Sequence, residues 1–513
     1  MTGILFFLYP TFLLMLIPLS CVLIAMVLTF GLMAMIQVPL SMLTMIVPVF
    51  LIAVGMAYCV YITSEFTEAM NRFPSPAAAA LATYSSMTLP TMVAVITTVV
   101  GIASLLVNRI QAIRKFAVFA SVGIILLMLL AFTFLPATFA LALLPSRNGR
   151  RLESTRAARA AHWFTDKIAH INIHRQRISL PILGGVALFC IIGIFRIQAE
   201  TNPVEFFKKD APVSRNFHDI AQSLSGSFPV HVAVFAEKED AFEDPKMLKE
   251  MERLQKDLEK LQGVDKSLSL IDYMKLVNYA LNQFDPKYYA LPEQDFEVRM
   301  ILNNYKVMLG EDMLYGFVSR DFSKANLMLL THLSSSREFL EIKKQIRDHL
   351  VRQCPKTISA EVTGIGVVIS ASSEILTTGQ IKSLSLSMVL IFSVMFILFL
   401  SFKVGVISIV PNLFPIVVNF GVMGWLGIKL SAATSLIASI AIGLAVDDTI
   451  HYLVCFNREF KKCLNDETAL REALNRVGLS MVFTSIIISS GFSVLMASNF
   501  GPTSLSDSLW LSP

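Results

Sequence analysis

The sequence predicts an α-helical polytopic membrane protein: two pseudo-repeat helical bundles plus one α+β domain of ferredoxin-like, β-α-β design. Three observations carry this. Of 513 residues, 54% are apolar and 16% charged, and the mean hydropathy is +0.63. Soluble proteins average about 45–50% apolar and 25% charged. Nine separate stretches reach the roughly 20 apolar residues that a bilayer-spanning helix needs. A block of sequence also recurs, without a gap, 390 positions further on. The apolar excess is too large for protein cores, so much of it faces lipid. A soluble enzyme or a nucleic-acid binder is excluded as the whole answer. Disorder is excluded too, because its mark is low hydrophobicity with high net charge.

In chain order the spans are 11–36, 42–63, 84–107, 116–144, 179–197, 382–402, 405–428, 433–456 and 479–498. Residues 2–9 read as the tail of a tenth. The start, MTGILFFLYP, has no basic region and no cleavage site, so it opens in membrane sequence. The domains follow: first-repeat helices in 1–144, a basic linker in 145–178, a span at 179–197, the α+β domain at 198–381, second-repeat helices in 382–500, and a tail at 501–513 that breaks the pattern. Pro18, Pro48, Pro411 and Pro415 are expected to kink their helices. Gly421, Gly424 and Gly427 permit close helix contact, most simply as packing.

Orientation comes from charge. The net charge is +5. The linker holds Arg147, Arg150, Arg151, Arg156, Arg159, Lys167, Arg175 and Arg177 against Glu153 and Asp166. Such a loop between spans reads as cytoplasmic. Counting forward puts 198–381 outside and 457–478 inside, where Arg458, Lys461, Lys462, Arg471 and Arg476 agree. Arg109, Arg114 and Lys115 point the other way and are outweighed. The amphipathic part, Ala157–Ile173, fits either a helix on anionic lipid or a solvated linker. No aromatic platform accompanies the basic run, so no nucleic-acid partner is expected. The six cysteines show no metal spacing, and no cofactor is implied. Cys354 stands alone in the soluble domain, which leaves it without an internal disulfide.

Within 198–381, Asp244-Pro245 starts a helix whose Leu248, Met251, Leu254, Leu258 and Leu261 form one apolar stripe, ended by Gly263. Val230–Phe235 precedes it as a strand and Val264–Ile271 follows as another. A second round reads strand Ala325–Leu333, helix Glu338–Val351, strand Ile358–Val362. Two β-α-β rounds point to a ferredoxin-like unit, with Gln283–Gly316 inserted.

The repeat aligns GLMAMIQVPLSMLT (31–44) with GVMGWLGIKLSAAT (421–434), and Phe66 with Phe456, Gly101 with Gly491 and Leu105 with Leu495. Transporters are built from such repeats, with sites at the repeat interface. Met1 corresponds to residue 391 inside a helix, and the partner of 116–144 would start near 506. The chain therefore reads as incomplete at both ends: a leading helix, a first soluble domain and a last helix are wanting.

Asp447 and Asp448 lie just past the middle of span 433–456, in AIGLAVDDTIHYLVCF. An ionised carboxylate at a helix centre costs about 2.5–3.5 kcal/mol. Two adjacent acids must be neutralised, paired or hydrated, and a group poised between those states is what a proton carrier needs. His451, four residues after Asp447, shares its helix face. The competing structural reading is a hydrogen-bond cluster at a helix end, with His451 a satisfied interior histidine. The repeat sets Ala57, Tyr58 and Tyr61 opposite Asp447, Asp448 and His451. Across a pseudo-two-fold, Tyr58 could donate to a carboxylate, or it is an ordinary interior aromatic.

IGLAVDDTIHYL, preceded by PNLFPIVVNFGVMGWLGIKL and followed by TSIIISSGF, resembles the resistance–nodulation–division (RND) superfamily, closest to its hydrophobe exporters related to the MMPL lipid exporters. ETNPVEFFKKDAPV resembles the same branch, and the resemblance runs to about Thr503. It implies a bacterial inner-membrane exporter of lipids or other hydrophobic molecules, with twelve helices and two periplasmic porter domains, driven by the proton gradient. Its relay acids match Asp447 and Asp448. Membrane lipids, a second copy or a periplasmic accessory protein are the partners it leaves open. Alternatives are a non-transporting scaffold or sensor on the same bundle, or an inactive transporter fragment. An intramembrane aspartyl protease needs two acids facing one bond, and neighbours on one helix point about 100° apart.

Overall fold

The computed structural model describes residues 12–41, 43–141, 156–200, 207, 211–223, 228–353 and 358–496. Residues 2–9, the start of the basic linker, Cys354 and the 501–513 tail lie outside them. The chain first forms α1 (Phe12–Met35), α2 (Val47–Arg72), α3 (Pro76–Ala103), α4 (Gln111–Leu141), α5 (Arg156–His174) and α6 (Gln176–Ile194). Next come α7 (Pro212–Ser223), β1 (Phe228–Ala236), α8 (Pro245–Leu258), β2 (Val264–Leu268), α9 (Leu270–Leu281), α10 (Asp295–Leu309), β3 (Lys324–Thr331), α11 (Ser336–Gln353) and β4 (Ile358–Thr363). The chain then runs through α12 (Ile365–Phe399), α13 (Phe402–Leu426), α14 (Ala432–Cys463) and α15 (Asp466–Met496). Two compact units result, one from Met1–Ala199 with Ile375–Pro513 and the other Glu200–Glu374.

In the helical unit, nine helices among the described residues are long and apolar enough to cross a membrane. They outrun the apolar stretches: α12 starts at Ile365 rather than 382, and α15 at Asp466 rather than 479. A helix satisfies its own backbone, so it continues into polar sequence where hydropathy stops reporting it. The repeat has a local geometric counterpart. After α1 the chain turns through Gln37 at φ 56°, and Ser41 N donates to Thr44 Oγ1 at 2.7 Å. After α13 it turns through Gly427 at φ 67°, and Ser431 N donates to Thr434 Oγ1 at 2.8 Å. Both pairs stand 390 apart. The left-handed turn is easy for Gly427 and strained for Gln37, so the second copy has the relaxed version.

Pro18, Pro411 and Pro415 lie inside helices, but Pro48 does not. It sits in the first turn of α2, where its missing N–H would have had no partner. Gly421 and Gly424 bring α13 against α6. A Cβ on Gly424 would collide with the Gly193 carbonyl oxygen, and one on Gly421 with Cys190 Cβ. Trp425 closes the crossing by donating to the Phe189 carbonyl at 3.0 Å. Helix α5 packs against α15, where a Cβ on Gly478 would come 2.9 Å from Thr165 Cγ2.

The second unit holds a four-stranded antiparallel sheet in the order β2-β3-β1-β4. Its alternating residues Val230, Val232, Val234, Leu327 and Leu329 are buried with Leu248, Met251 and Leu258 of α8 and Ile342 and Ile346 of α11. Asp244 caps α8 through Lys246 N at 2.8 Å. The strand expected over Val264–Ile271 stops at Leu268. There Ser269 and Asp272 form a capping box, so Leu270 and Ile271 begin α9 instead. At α11, partial burial pushes the Glu338 carboxyl up. The Ser334 and Ser335 amides, together with the Ser335 hydroxyl and the His332 ring, hold it below the ordinary glutamate range.

Candidate functional site

Aspartate competes with the helix for backbone hydrogen bonds and costs most where it is dry. Helix α14 carries two in succession because other helices answer them. Neighbours on a helix point about 100° apart, so the two acids address different elements. Asp447, 5% exposed, meets α3: Thr98 Oγ1 lies 3.0 Å from its Oδ1. The Thr98 hydroxyl accepts from Tyr58 Oη at 2.9 Å, which makes a chain Tyr58–Thr98–Asp447. The same hydroxyl also has the Ala94 carbonyl at 2.9 Å and the Gly443 carbonyl at 3.3 Å within reach. Asp448, half-buried, meets α2: Tyr61 Oη donates to its Oδ1 at 2.7 Å. One turn further, the His451 ring stacks on Tyr61 at 4.2 Å and 11°, and its buried Nε2 has no hydrogen-bond partner among the described residues.

The structure thus draws Asp447, Asp448, His451 and Tyr58 into one cluster, with a different pairing from the one the repeat register suggests. The register sets Tyr58 opposite Asp448 and Tyr61 opposite His451. Tyr58 instead serves Asp447 through Thr98, and Tyr61 serves Asp448. Long helical side chains lean back toward the helix N-terminus. Tyr61, three residues further on, therefore reaches the level that its Cα has already passed.

A cavity of about 350 Å³ opens beside this cluster, lined among others by Tyr61, Glu65, Ser86, His451, Arg458 and Arg476. Glu65 Oε1 accepts from Ser86 Oγ at 3.1 Å and pairs with Arg476 at 3.3 Å. Ser86 and Arg476 are themselves 390 apart, so one carboxylate of the first copy bridges two equivalent positions. Sequence reasoning missed this pair, as it missed Thr98. The available signal for Thr98 was a hydroxyl residue one turn before Gly101, the glycine that the repeat conserves with Gly491. Among the described residues, no group of three or more His, Cys, Asp or Glu side chains could hold a metal.

Comparison with known proteins places the chain in context. A sequence profile of the MMPL family matches residues 1–172 and 205–504. A membrane protein of the archaeon Methanocaldococcus jannaschii is 21% identical over 338 residues, which are 64% of this chain and 84% of that one. In structure, the chain is similar to the hedgehog release protein Disp of the water bear Hypsibius dujardini, with a TM-score of 0.68 at 15% identity. The match covers 99% of this chain and 67% of the other.

Proposed function

The chain belongs to the MMPL family, and from that premise we propose that it exports lipids or other hydrophobic molecules, driven by protons that bind at Asp447 and Asp448. The observation that carries the reading is the pair of intramembrane acids, one buried and one half-buried, each answered by a hydroxyl donor from the other copy of the repeat. A membrane transporter of the RND kind is supported by the family and by the fold shared with Disp. Disp is a release protein, which agrees with outward movement of cargo.

A coupling step is compatible with this geometry. A charged Asp447 accepts from Thr98. Once protonated, it has a proton to donate and one fewer lone pair to offer. Thr98 then turns its own proton to the Ala94 or Gly443 carbonyl, both already within reach. Protonation thereby rewrites the bonds joining α3 to α14, the kind of bistable link a transport cycle needs. The cavity opens beside Tyr61, the partner of Asp448, and beside His451, on the side that the basic segments mark as cytoplasmic. On the same charge argument we read the sheet-bearing unit, with strand order β2-β3-β1-β4, as a ferredoxin-like porter domain on the periplasmic side of a bacterial inner membrane. Its partners there are the hydrophobic substrate and membrane lipid, with a second copy or an accessory protein compatible.

A scaffold gains nothing from two adjacent intramembrane acids that each cost about 2.5–3.5 kcal/mol to ionise at a helix centre. A protease is disfavoured because Asp447 and Asp448 face different helices. The test uses the full chain in liposomes under a pH gradient, following efflux of a fluorescent phospholipid. Asp447→Asn and Asp448→Asn keep shape and remove the titrating proton, and each is expected to lower gradient-driven efflux at least about a hundredfold. Undiminished efflux in both variants overturns the proposal.

A further inference from the structure

The C-terminal end of α6 grips one side chain of α13, Trp425. The indole stacks on the Phe189 ring at 4.7 Å and 6°, and its Nε1 donates to the Phe189 carbonyl at 3.0 Å. Over the same ring lies Arg196, with Cζ 4.3 Å from the centroid. Seven residues, about 10.5 Å along a helix axis, separate Phe189 from Arg196, which leaves room for one ring between them. The platform is rigid. A Cβ on Gly193 would come 2.6 Å from Trp425 Cδ1, so the two helices meet without side chains to spare. Just beyond, Leu430 N donates to the Gln198 carbonyl at 2.9 Å and ties the chain after α13 to the chain after α6.

Arg196 is exposed, and among the described residues no carboxylate pairs with it. Stacking on the indole occupies the face of the guanidinium and not its edge. The N–H groups lie in the plane and point outward, where they can meet two oxygens of one phosphate. The same helix carries an exposed apolar stripe up to this point: Leu188 is 62% exposed, Ile192 50% and Phe195 87%. Their spacing of four and three residues puts them on one face. By the charge pattern this end of α6 lies at the outer boundary of the membrane, at the level where a bilayer carries its phosphates. A cation without an acid, braced at the end of an apolar stripe, matches an amphipathic anion.

We infer that Arg196, held flat on Trp425, binds the phosphate of a membrane phospholipid whose acyl chains lie along Leu188, Ile192 and Phe195. The cation–π contact keeps the guanidinium in one orientation, so less side-chain freedom is lost when the phosphate arrives. The lipid is favoured over free phosphate by position. Its chains already run in the bilayer beside the stripe, which presents the headgroup to the guanidinium at high effective concentration. A free anion gains only one exposed charge contact, which water and salt screen. The lipid is a bound partner of the helical unit, and its binding does not rest on proton coupling at Asp447.

The test reads lipid binding rather than transport. The full chain in detergent is titrated with palmitoyl-oleoyl phosphatidylglycerol, and native mass spectrometry gives the Kd of the first lipid adduct. Arg196→Gln loses the charge and the fork, and is expected to weaken that adduct about tenfold. Should that variant fail to fold, Arg196→Lys decides: it keeps the charge but not the fork or the flat stack, and is expected to weaken the adduct about threefold. Diacylglycerol with the same chains is expected to bind the unmodified chain about tenfold more weakly than the phospholipid. Lys266→Gln, which removes one charge from an exposed position of β2, is expected to leave the Kd unchanged. An unchanged Kd in the folded Arg196 variant overturns the site, as does equal binding of diacylglycerol or an equal loss in Lys266→Gln. Displacement of the lipid by millimolar inorganic phosphate would mark a free-anion site and overturn it too. Asp447→Asn is expected to bind the lipid normally, so failure here and failure of proton coupling are read separately.

Discussion

Helices α2 and α14 occupy equivalent places in the repeat and have divided the chemistry between them. Where α14 carries Asp447, Asp448 and His451, α2 carries Ala57, Tyr58 and Tyr61. Where α14 has Gly443, α2 has Ala53. One copy supplies acceptors that can be charged and the other supplies neutral donors. Acids on both would put four carboxylates in one dry site, each costing about 2.5–3.5 kcal/mol when ionised. Phenols answer a carboxylate without adding a charge that must itself be solvated. The two halves thus share a repeat register and carry complementary side chains.

Removing the acceptors breaks the comparison most severely, which is why Asp447→Asn and Asp448→Asn carry the largest expected loss of efflux. Next is the donor on the half-buried acid. Tyr61→Phe leaves Asp448 without its 2.7 Å bond but keeps the ring stacked on His451. A hydrogen bond to a charged group is worth about 1.5–3 kcal/mol. Efflux measured in liposomes is expected to fall about ten- to a hundredfold, with the stacked ring preserving the fold. Efflux within a factor of about two of the unmodified chain would show that α2 contributes packing rather than chemistry.

Much of this complementarity was legible beforehand. The apolar spans, the repeat and the acids at 447 and 448 follow from hydropathy and alignment, because period and composition are properties of the chain alone. The α8 stripe and its Asp244 cap were legible for the same reason. Thr98 was not, since nothing in a threonine on one helix announces a carboxylate on another. The Glu65–Arg476 pair was hidden by distance along the chain. The Tyr58–Tyr61 exchange of partners depends on how far a phenol leans along its helix, which alignment by residue number does not carry. The strand that ends before Ser269 shows the reverse case: β-compatible residues were overruled by a local cap.

A subtler pair of substitutions sharpens the contrast at the crossing of α3 and α14. A Cβ on Gly443 would come 3.2 Å from Thr98 Cγ2, whereas one on Gly101 meets nothing closer than Gly443 Cα at 3.6 Å. Gly443→Ala therefore requires Thr98 to give by a few tenths of an ångström, which loosens its hold on Asp447, and Gly101→Ala does not. Overpacking costs about 1–3 kcal/mol. Thermal denaturation in detergent is expected to show a lower midpoint for Gly443→Ala than for Gly101→Ala, with efflux reduced only in the former. Equal behaviour would mean that Thr98 is not held in place by this crossing.

The smallest effect is expected at Tyr58. Its hydroxyl donates to Thr98 at 2.9 Å, and Thr98 in turn lies 3.0 Å from Asp447. Tyr58→Phe removes the outer link and leaves the inner one. Thr98 still has a proton to give, but the phenol no longer competes for its lone pair or fixes its rotamer. The hydroxyl then spends more of its time turned to the Ala94 carbonyl, 2.9 Å away. Losing one neutral hydrogen bond costs about 0.5–1.5 kcal/mol, so efflux is expected to fall about two- to tenfold, less than for Tyr61→Phe. The double variant Tyr58→Phe with Thr98→Val decides whether the two act in series. In a chain, Thr98→Val already removes the contact to Asp447, so adding Tyr58→Phe changes efflux little further. Multiplicative losses would mean instead that Tyr58 reaches Asp447 by a route that does not pass through Thr98.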